Sequence, residues 1–237
     1  MRVHQQPAYV LHARAWRETS LLLEVFTRDH GRVGLIARGV RRERSRWPRG
    51  MLQPLQPLLL DWAGGGELAN LSGAEPAGAP LSLPREVLPA AMYVNELVLR
   101  LSGRGDAQPR AFVHYGTCLA RLHGAEGAAW TLRRFERDFL AELGYGLALE
   151  QAADGGALLA ETDYGWDAEA GAVAWHEGRR LARVSGAALL ALGRDEVPNA
   201  AELAQLRRLM RSVIRHLLGG DLQSWALALP LAPPRAD

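Results

Sequence analysis

The residues best suited to chemistry lie in one short stretch, Arg38–Arg49, which reads R-G-V-R-R-E-R-S-R-W-P-R. Six of its twelve residues are arginine (Arg38, Arg41, Arg42, Arg44, Arg46 and Arg49), set against the single acid Glu43 and joined by Trp47. Guanidinium forks suit phosphate oxygens, and an indole face suits a stacked base, so the stretch reads as a nucleic-acid contact. The alternative is a solvated loop whose charge serves only solubility. Arg14 and Arg17, flanking Trp16, extend the same surface, although Trp16 equally suits an apolar core.

Two further arginine groups have helical spacing. In Leu132, Arg133, Arg134, Phe135 and Arg137, the pair Arg133 and Arg137 lies one turn apart on one side, so the two repel unless an anion lies between them. Arg134 and Asp138 have the spacing of an ordinary ion pair. Arg207, Arg208, Arg211 and Arg215 form a second basic surface opposite Leu203, Leu206, Met210, Val213 and Leu217. A partner site and a solvated face are both open there.

Catalytic constellations are poor. None of the seven histidines has H-x-x-x-H or H-x-H spacing for a metal. A chain without lysine cannot hold the lysine of a phosphate-binding P-loop, and no G-x-S-x-G elbow occurs. Glu161, Asp163 and Asp167 are close enough in sequence for a metal nuclease, but acid-rich loops are usually just solvated. The lone Cys118 excludes a disulfide framework and a multi-cysteine zinc site, and reads as a small buried hydrophobe. The expectation is no catalytic residue, no cofactor, no metal and no enzymatic activity.

The whole composition fits this picture. The 237 residues carry a net charge of +2 with 48% hydrophobic residues, an ordinary share for a globular protein. All 28 basic residues are arginine. Through residue 50 there are 11 arginines against four acids, a balance of +7, and the remainder balances at −5. A basic head on an acidic body points to nucleic acid, anionic lipid or an acidic partner. Neither a signal peptide nor a membrane span is visible, so the expected location is the cytosol.

The elements that must position these residues change character near residue 74. Ala8–Trp16, Ser20–Thr27, Gly31–Gly39, Leu55–Trp62 and Glu67–Gly73 read as five short strands, with turns at Asp29-His30-Gly31 and Gly64-Gly65-Gly66. Five strands in about 75 residues suit an oligonucleotide-binding barrel, which puts the arginine-rich stretch between its third and fourth strands. After the turn-rich segment 74–84 the period becomes helical, with stripes at Val87–Leu101, Phe112–Leu122 and Leu132–Leu143. Residues 151–180 read as a loop or weak hairpin. Ser185–Leu192 and Asn199–Leu218 read as helices, with Asn199 and Glu202 forming a capping box. A short apolar piece, Trp225–Leu231, precedes a disordered-looking tail. The expected architecture is α+β, with an oligonucleotide-binding domain at 1–78 and a helical domain at 79–237 carrying a small irregular or hairpin insertion near 151–180.

Taken in order, A-Y-V-L-H-A-R-A-W-R-E-T-S-L-L-L-E-V-F-T (8–27), G-R-V-G-L-I-A-R-G (31–39), L-Q-P-L-Q-P-L-L-L (52–60), M-Y-V-N-E-L (92–97), L-R-R-F-E (132–136), L-G-Y-G (143–146) and L-G-G (218–220) resemble the bacterial RecO family in its Gram-negative form. The resemblance implies an N-terminal oligonucleotide-binding barrel, a helical body, no catalysis and a nucleoid-associated, cytoplasmic recombination mediator in DNA repair. It implies binding of single- and double-stranded DNA, annealing of complementary strands, and action with RecR and RecF to place RecA on DNA coated by single-strand-binding protein (SSB). It also implies that the acidic C-terminal tail of SSB docks near L-R-R-F-E, which gives Leu132, Arg133, Arg134, Phe135 and Arg137 that role. Many relatives carry a zinc site of four cysteines; with Cys118 alone, this chain is expected to hold no structural zinc. The runner-up is an interaction scaffold whose basic barrel binds an acidic protein.

Overall fold

The computed structural model describes residues 1–48, 50–124, 127–178 and 180–227. The expected tail lies outside these residues, as do Arg49 and residues 228–231 of the expected apolar piece.

Five strands open the chain: β1 (Arg2–Trp16), β2 (Ser20–Thr27), β3 (Gly31–Ala37), β4 (Pro57–Ala63) and β5 (Leu68–Pro76). They close into a barrel in the order β1-β2-β3-β5-β4, antiparallel except for the β3–β5 pair. This is the arrangement of an oligonucleotide-binding barrel, as expected. Strand β1 begins six residues earlier than its pattern suggested, because Arg2 and Val3 pair with Ala63 and Trp62 across a bulge before Gln6. Such irregularities let one long strand bend between two neighbours and close the barrel, and they blur a strict alternation. The interior is filled by Val10, Leu23, Val25, Leu35, Leu58 and Leu60, all nearly or fully buried.

A 3₁₀ turn (Arg85–Val87) leads into α1 (Leu88–Leu101) and α2 (Pro109–His123). Both helices belong to the same compact unit as the barrel, which runs Met1–His123. An apolar and a polar contact hold them there. Tyr9 and Phe26 of the barrel meet Phe112 and Tyr115 of α2 at ring-centroid separations of 4.9–6.1 Å. Within that interface the buried Asn95 of α1 donates its amide to the carbonyl of Leu11, and its amide oxygen accepts the Tyr115 hydroxyl at 2.9 Å. Burial pushes the Tyr115 phenol well above its ordinary pKa, so it stays a donor.

The connection from α1 to α2 straps the barrel edge. Gly105 donates to the Arg32 carbonyl at 3.0 Å, while Glu24 accepts from both Arg32 and Arg104. Gly31 has φ +60°, and a Cβ there would lie 2.0 Å from the Asp106 carbonyl oxygen. The turn therefore needs glycine twice over, for its conformation and for the strap's close approach.

The second unit starts at Gly124. It contains α3 (Ala128–Glu142), the strands β6 (Asp163–Asp167), β7 (Gly171–Ala174) and β8 (Ala182–Ser185), then α4 (Gly186–Arg194), α5 (Ala200–Leu218) and α6 (Ser224–Leu227). The region expected as a loop or weak hairpin supplies β6 and β7 of a three-stranded sheet ordered β7-β6-β8. The antiparallel β6–β7 pair is the hairpin among the two expectations; β8 was not expected, because a four-residue strand is too short to show a period. Gln205 of α5 accepts from the backbone and hydroxyl of Ser185 and so ties β8 to that helix. Helix α5 starts at the expected capping box of Asn199 and Glu202, bonded in both directions, and stops at Gly219 with φ +65°.

Replacing Asn95 by Ala strands the Leu11 carbonyl and the Tyr115 hydroxyl in an apolar interface. The expected cost is about 2–4 kcal/mol of stability, against about 1 kcal/mol for Tyr115→Phe, read from urea unfolding of both variants.

Candidate functional site

The barrel brings most of the predicted arginines to one end. Leu21 of β2 pairs with Ala37 of β3, and Trp16 of β1 pairs with Ser20. The β1–β2 turn and the loop leaving β3 are therefore neighbours. The Arg41 amide donates to the Thr19 carbonyl at 3.0 Å and fastens that loop to that turn. Arg17 within the turn takes φ +52°. Arg14, Arg17, Arg38, Arg41, Arg42, Arg44 and Arg46 are all exposed, with Glu18 and Glu43 the acids among them. Arg46 reaches across to the Ser72 carbonyl of β5 at 2.7 Å. Its guanidinium lies 5.6 Å from the centre of the Trp47 ring.

Trp47 corrects the sequence reading. It is 7% exposed and packs in the barrel core with Leu52, Trp62 and Leu71. Its ring is thus not available for a base to stack on. The Met51 amide donates to the Pro48 carbonyl at 3.2 Å, and the apolar residues Trp47, Leu52 and Leu55 are buried. The charged half of the loop is held outside by the apolar half inside. Arg49 lies outside the described residues. Trp16 is half-buried at the same end.

The α3 cluster is also rearranged. The Arg133 side chain is 7% exposed and pairs with Glu136, which is fully buried. Leu132 and Phe135 are buried as well, and Phe135 stacks on Phe139 at 5.2 Å. These three residues face inward, so none of them presents the surface expected from the L-R-R-F-E motif. A buried arginine finds its partner one turn away because an uncompensated charge there would be far more costly.

Arg134 and Arg137 remain near the surface, and the anion expected near Arg137 belongs to the chain itself. Asp195, the left-handed cap of α4, receives Arg134 at 2.5 Å and Arg137 at 3.0 Å, one on each carboxylate oxygen. Arg137 also bonds Asp138 at 2.7 Å and the Leu192 carbonyl at 2.6 Å. Burial works against the Arg137 charge, but the bond to Asp138 and the charges of Asp138 and Asp195 outweigh it and raise its pKa. Arg137 lines a cleft of about 540 Å³ with Asp138, Ala141, residues 146–151 and Gly193. Asp195 and the 146–151 wall are the residues that sequence reasoning missed. The only local hint was the L-G-Y-G turn ending α3.

On α5, Arg207, Arg208 and Arg215 are exposed and Arg211 is half-buried. Arg211 and Arg215 lie 5.2 and 5.7 Å from the Trp225 ring centre. Arg215 also pairs with Asp221 at 2.5 Å, a bond that raises the arginine's pKa and lowers the aspartate's. Glu161, Asp163 and Asp167 do not form a metal cluster, and no group of three metal-ligating side chains occurs among the described residues. Asp163 is instead engaged by Arg183 at 2.5 Å. Cys118 is buried in α2. Among the described residues no helix is long and apolar enough to cross a membrane.

A family model for the Recombination protein O N terminal matches residues 1–80, and one for the Recombination protein O C terminal matches residues 85–226. The chain belongs to the RecO family. The DNA repair protein RecO of Stenotrophomonas maltophilia strain R551-3 is 45% identical over 239 residues, covering 99% of this chain and all of that protein. Its counterpart in Xanthomonas oryzae pv. oryzae strain PXO99A is 43% identical over 240 residues, again 99% of this chain and all of the relative. The protein of that name from Xanthomonas campestris pv. campestris strain B100 is 44% identical over 237 residues, 98% of each chain. The seam between the two RecO family models falls at 80–85, after the barrel closes. The boundary between the compact units falls later, because α1 and α2 pack on the barrel.

These placements separate structural from surface residues of the RecO chain. Trp47→Ala is expected to cost about 3–5 kcal/mol, and Arg133→Ala about 3 kcal/mol because the fully buried Glu136 loses its arginine partner. Arg44→Ala, on the exposed loop, stays within about 0.5 kcal/mol. Thermal unfolding of the three variants checks the ranking.

Proposed function

We propose that this RecO-family chain is a non-enzymatic DNA-binding mediator of recombination in DNA repair, with the arginine-rich end of the barrel as its DNA surface. The observation that carries this reading is the gathering of seven exposed arginines, against two acids, on the end of β1 and on two loops fastened together at one barrel end. Such a surface neutralises phosphates and releases their counterions, which gives affinity without sequence preference. Two strands held on or near a basic surface repel each other less, so complementary strands can pair. The names of the relatives support a role in DNA repair.

In this reading the chain binds single- and double-stranded DNA, anneals strands, and works with RecR and RecF to place RecA on DNA covered by SSB, in the cytoplasm at the nucleoid. The acidic SSB tail is proposed to reach the cleft lined by Arg137, where it would compete with Asp195 for Arg137 and its neighbour Arg134. Leu132, Arg133 and Phe135 support α3 from inside and do not touch the tail. No step requires a metal, a nucleotide or a catalytic residue.

Replacing Arg41, Arg42, Arg44 and Arg46 together by Ala is expected to flatten the salt dependence of single-strand binding by roughly 0.7 in log–log slope for each phosphate no longer neutralised. Thermal unfolding should hardly change. Fluorescent oligonucleotide titration at several salt concentrations reads the slope. An unchanged slope, with binding to an acidic partner abolished, favours the protein-only scaffold. For the tail, Arg137→Ala is expected to weaken an acidic, phenylalanine-ended peptide about fivefold, measured by fluorescence anisotropy. Unchanged affinity removes Arg137 from the site.

A further inference from the structure

The second unit is acid-rich, with 16 acids against 12 arginines from residue 124 onward, yet one of its surfaces carries the opposite sign. Between Leu203 and Gly220 the sequence holds four arginines, His216 and no carboxylate. The apolar side of α5 (Leu206, Leu209, Met210, Val213 and Ile214) is buried, which leaves the charge on the outer side. Arg207, Arg211 and Arg215 follow one another at four-residue steps, about 6 Å apart along the axis, with Arg208 beside them.

Two features give this row a chemical preference. Arg211 and Arg215 are stacked over Trp225; the ring braces the flat guanidinium groups, and although Arg215 also pairs with Asp221 just beyond the helix, the N–H groups outside that pair stay able to donate. The exposed position between Arg207 and Arg215 that is not itself arginine is the small Ser212, and none of the large hydrophobic side chains exposed among the described residues lies on α5. Protein partners anchor through buried apolar or aromatic side chains; the aromatic ring at this face, Trp225, is half-buried under two guanidinium groups. A phosphodiester backbone needs only regularly placed cations.

We propose that the outer face of α5, with Arg207, Arg208, Arg211 and Arg215 braced by Trp225, is a second nucleic-acid surface that grips the backbone of a single strand independently of sequence. The proposal extends the DNA-binding reading, and depends on it only in that both surfaces take the same polymer. A chain with one phosphate-binding surface in each unit can hold two strands at once, so loss of this surface should impair annealing more than binding of a single strand.

The test uses the full-length chain, a fluorescent single-stranded oligonucleotide and a salt series. Arg207→Ala combined with Arg208→Ala is expected to reduce the log–log salt slope by roughly 1.4, two phosphates at about 0.7 each, and to slow annealing of complementary strands. Arg207→Lys with Arg208→Lys should restore most of both, and the thermal midpoint should not move. Failure of the unaltered chain to bind DNA overturns both this proposal and the barrel reading. A slope that falls in the four-arginine barrel-loop variant but stays unchanged in the α5 double variant overturns this proposal alone. Intact DNA binding and annealing in the α5 variant, with loss of affinity for an acidic peptide, overturns it in favour of a protein partner.

Discussion

A loop with six arginines in twelve residues repels itself and has little reason to stay on the protein that carries it. What holds it is the burial of Trp47, with Leu52 and Leu55, against the core of the barrel. Burying side chains of this size stabilises by about 1.5–3 kcal/mol each, enough to offset the mutual repulsion of exposed, screened charges. The Arg41–Thr19 backbone bond and the reach of Arg46 to Ser72 then fix where the cations stand. The tryptophan that looked like part of the binding surface is the anchor that makes the surface possible.

The second unit applies the same economy to its own charges. Arg133 is buried against Glu136, while Asp195 holds Arg134 and Arg137 together. A cluster that looks unpaired in sequence is thus largely neutralised inside the fold. On α5 the balance differs. No acid lies on the helix between Glu202 and Gly219; Arg215 reaches Asp221 beyond the helix end, and an aromatic ring supports Arg211 and Arg215. The two clusters have similar sequence patterns and different electrostatic fates.

Much of this was legible in the residues. The five strands, the α5 capping box and the position of the arginine loop follow from alternation, turn residues and side-chain capping, all local properties. The ordered run of motifs from residue 8 to 220 carried the family. Of the small second sheet, the β6–β7 hairpin was among the expectations; β8 was not legible, because it is stabilised by β6 and α5, not by a pattern of its own. The inward-facing Arg133 was hidden for a related reason: helical spacing gives relative angles around an axis, and only packing decides which side of the helix is inside.

The sequence by itself determined where the charge sits along the chain, that no lysine or cysteine set supports P-loop or zinc chemistry, and that a β-rich head precedes a helical body. The tertiary structure decided which arginines share a surface and which are already paired. It brought residues 14, 17 and 38–46 to one barrel end, placed Trp47 in the core, and set Asp195 between two arginines some sixty residues earlier in the chain. Composition and local periodicity depend on neighbours in sequence, whereas exposure and ion pairing depend on neighbours in space, and only the folded chain supplies those.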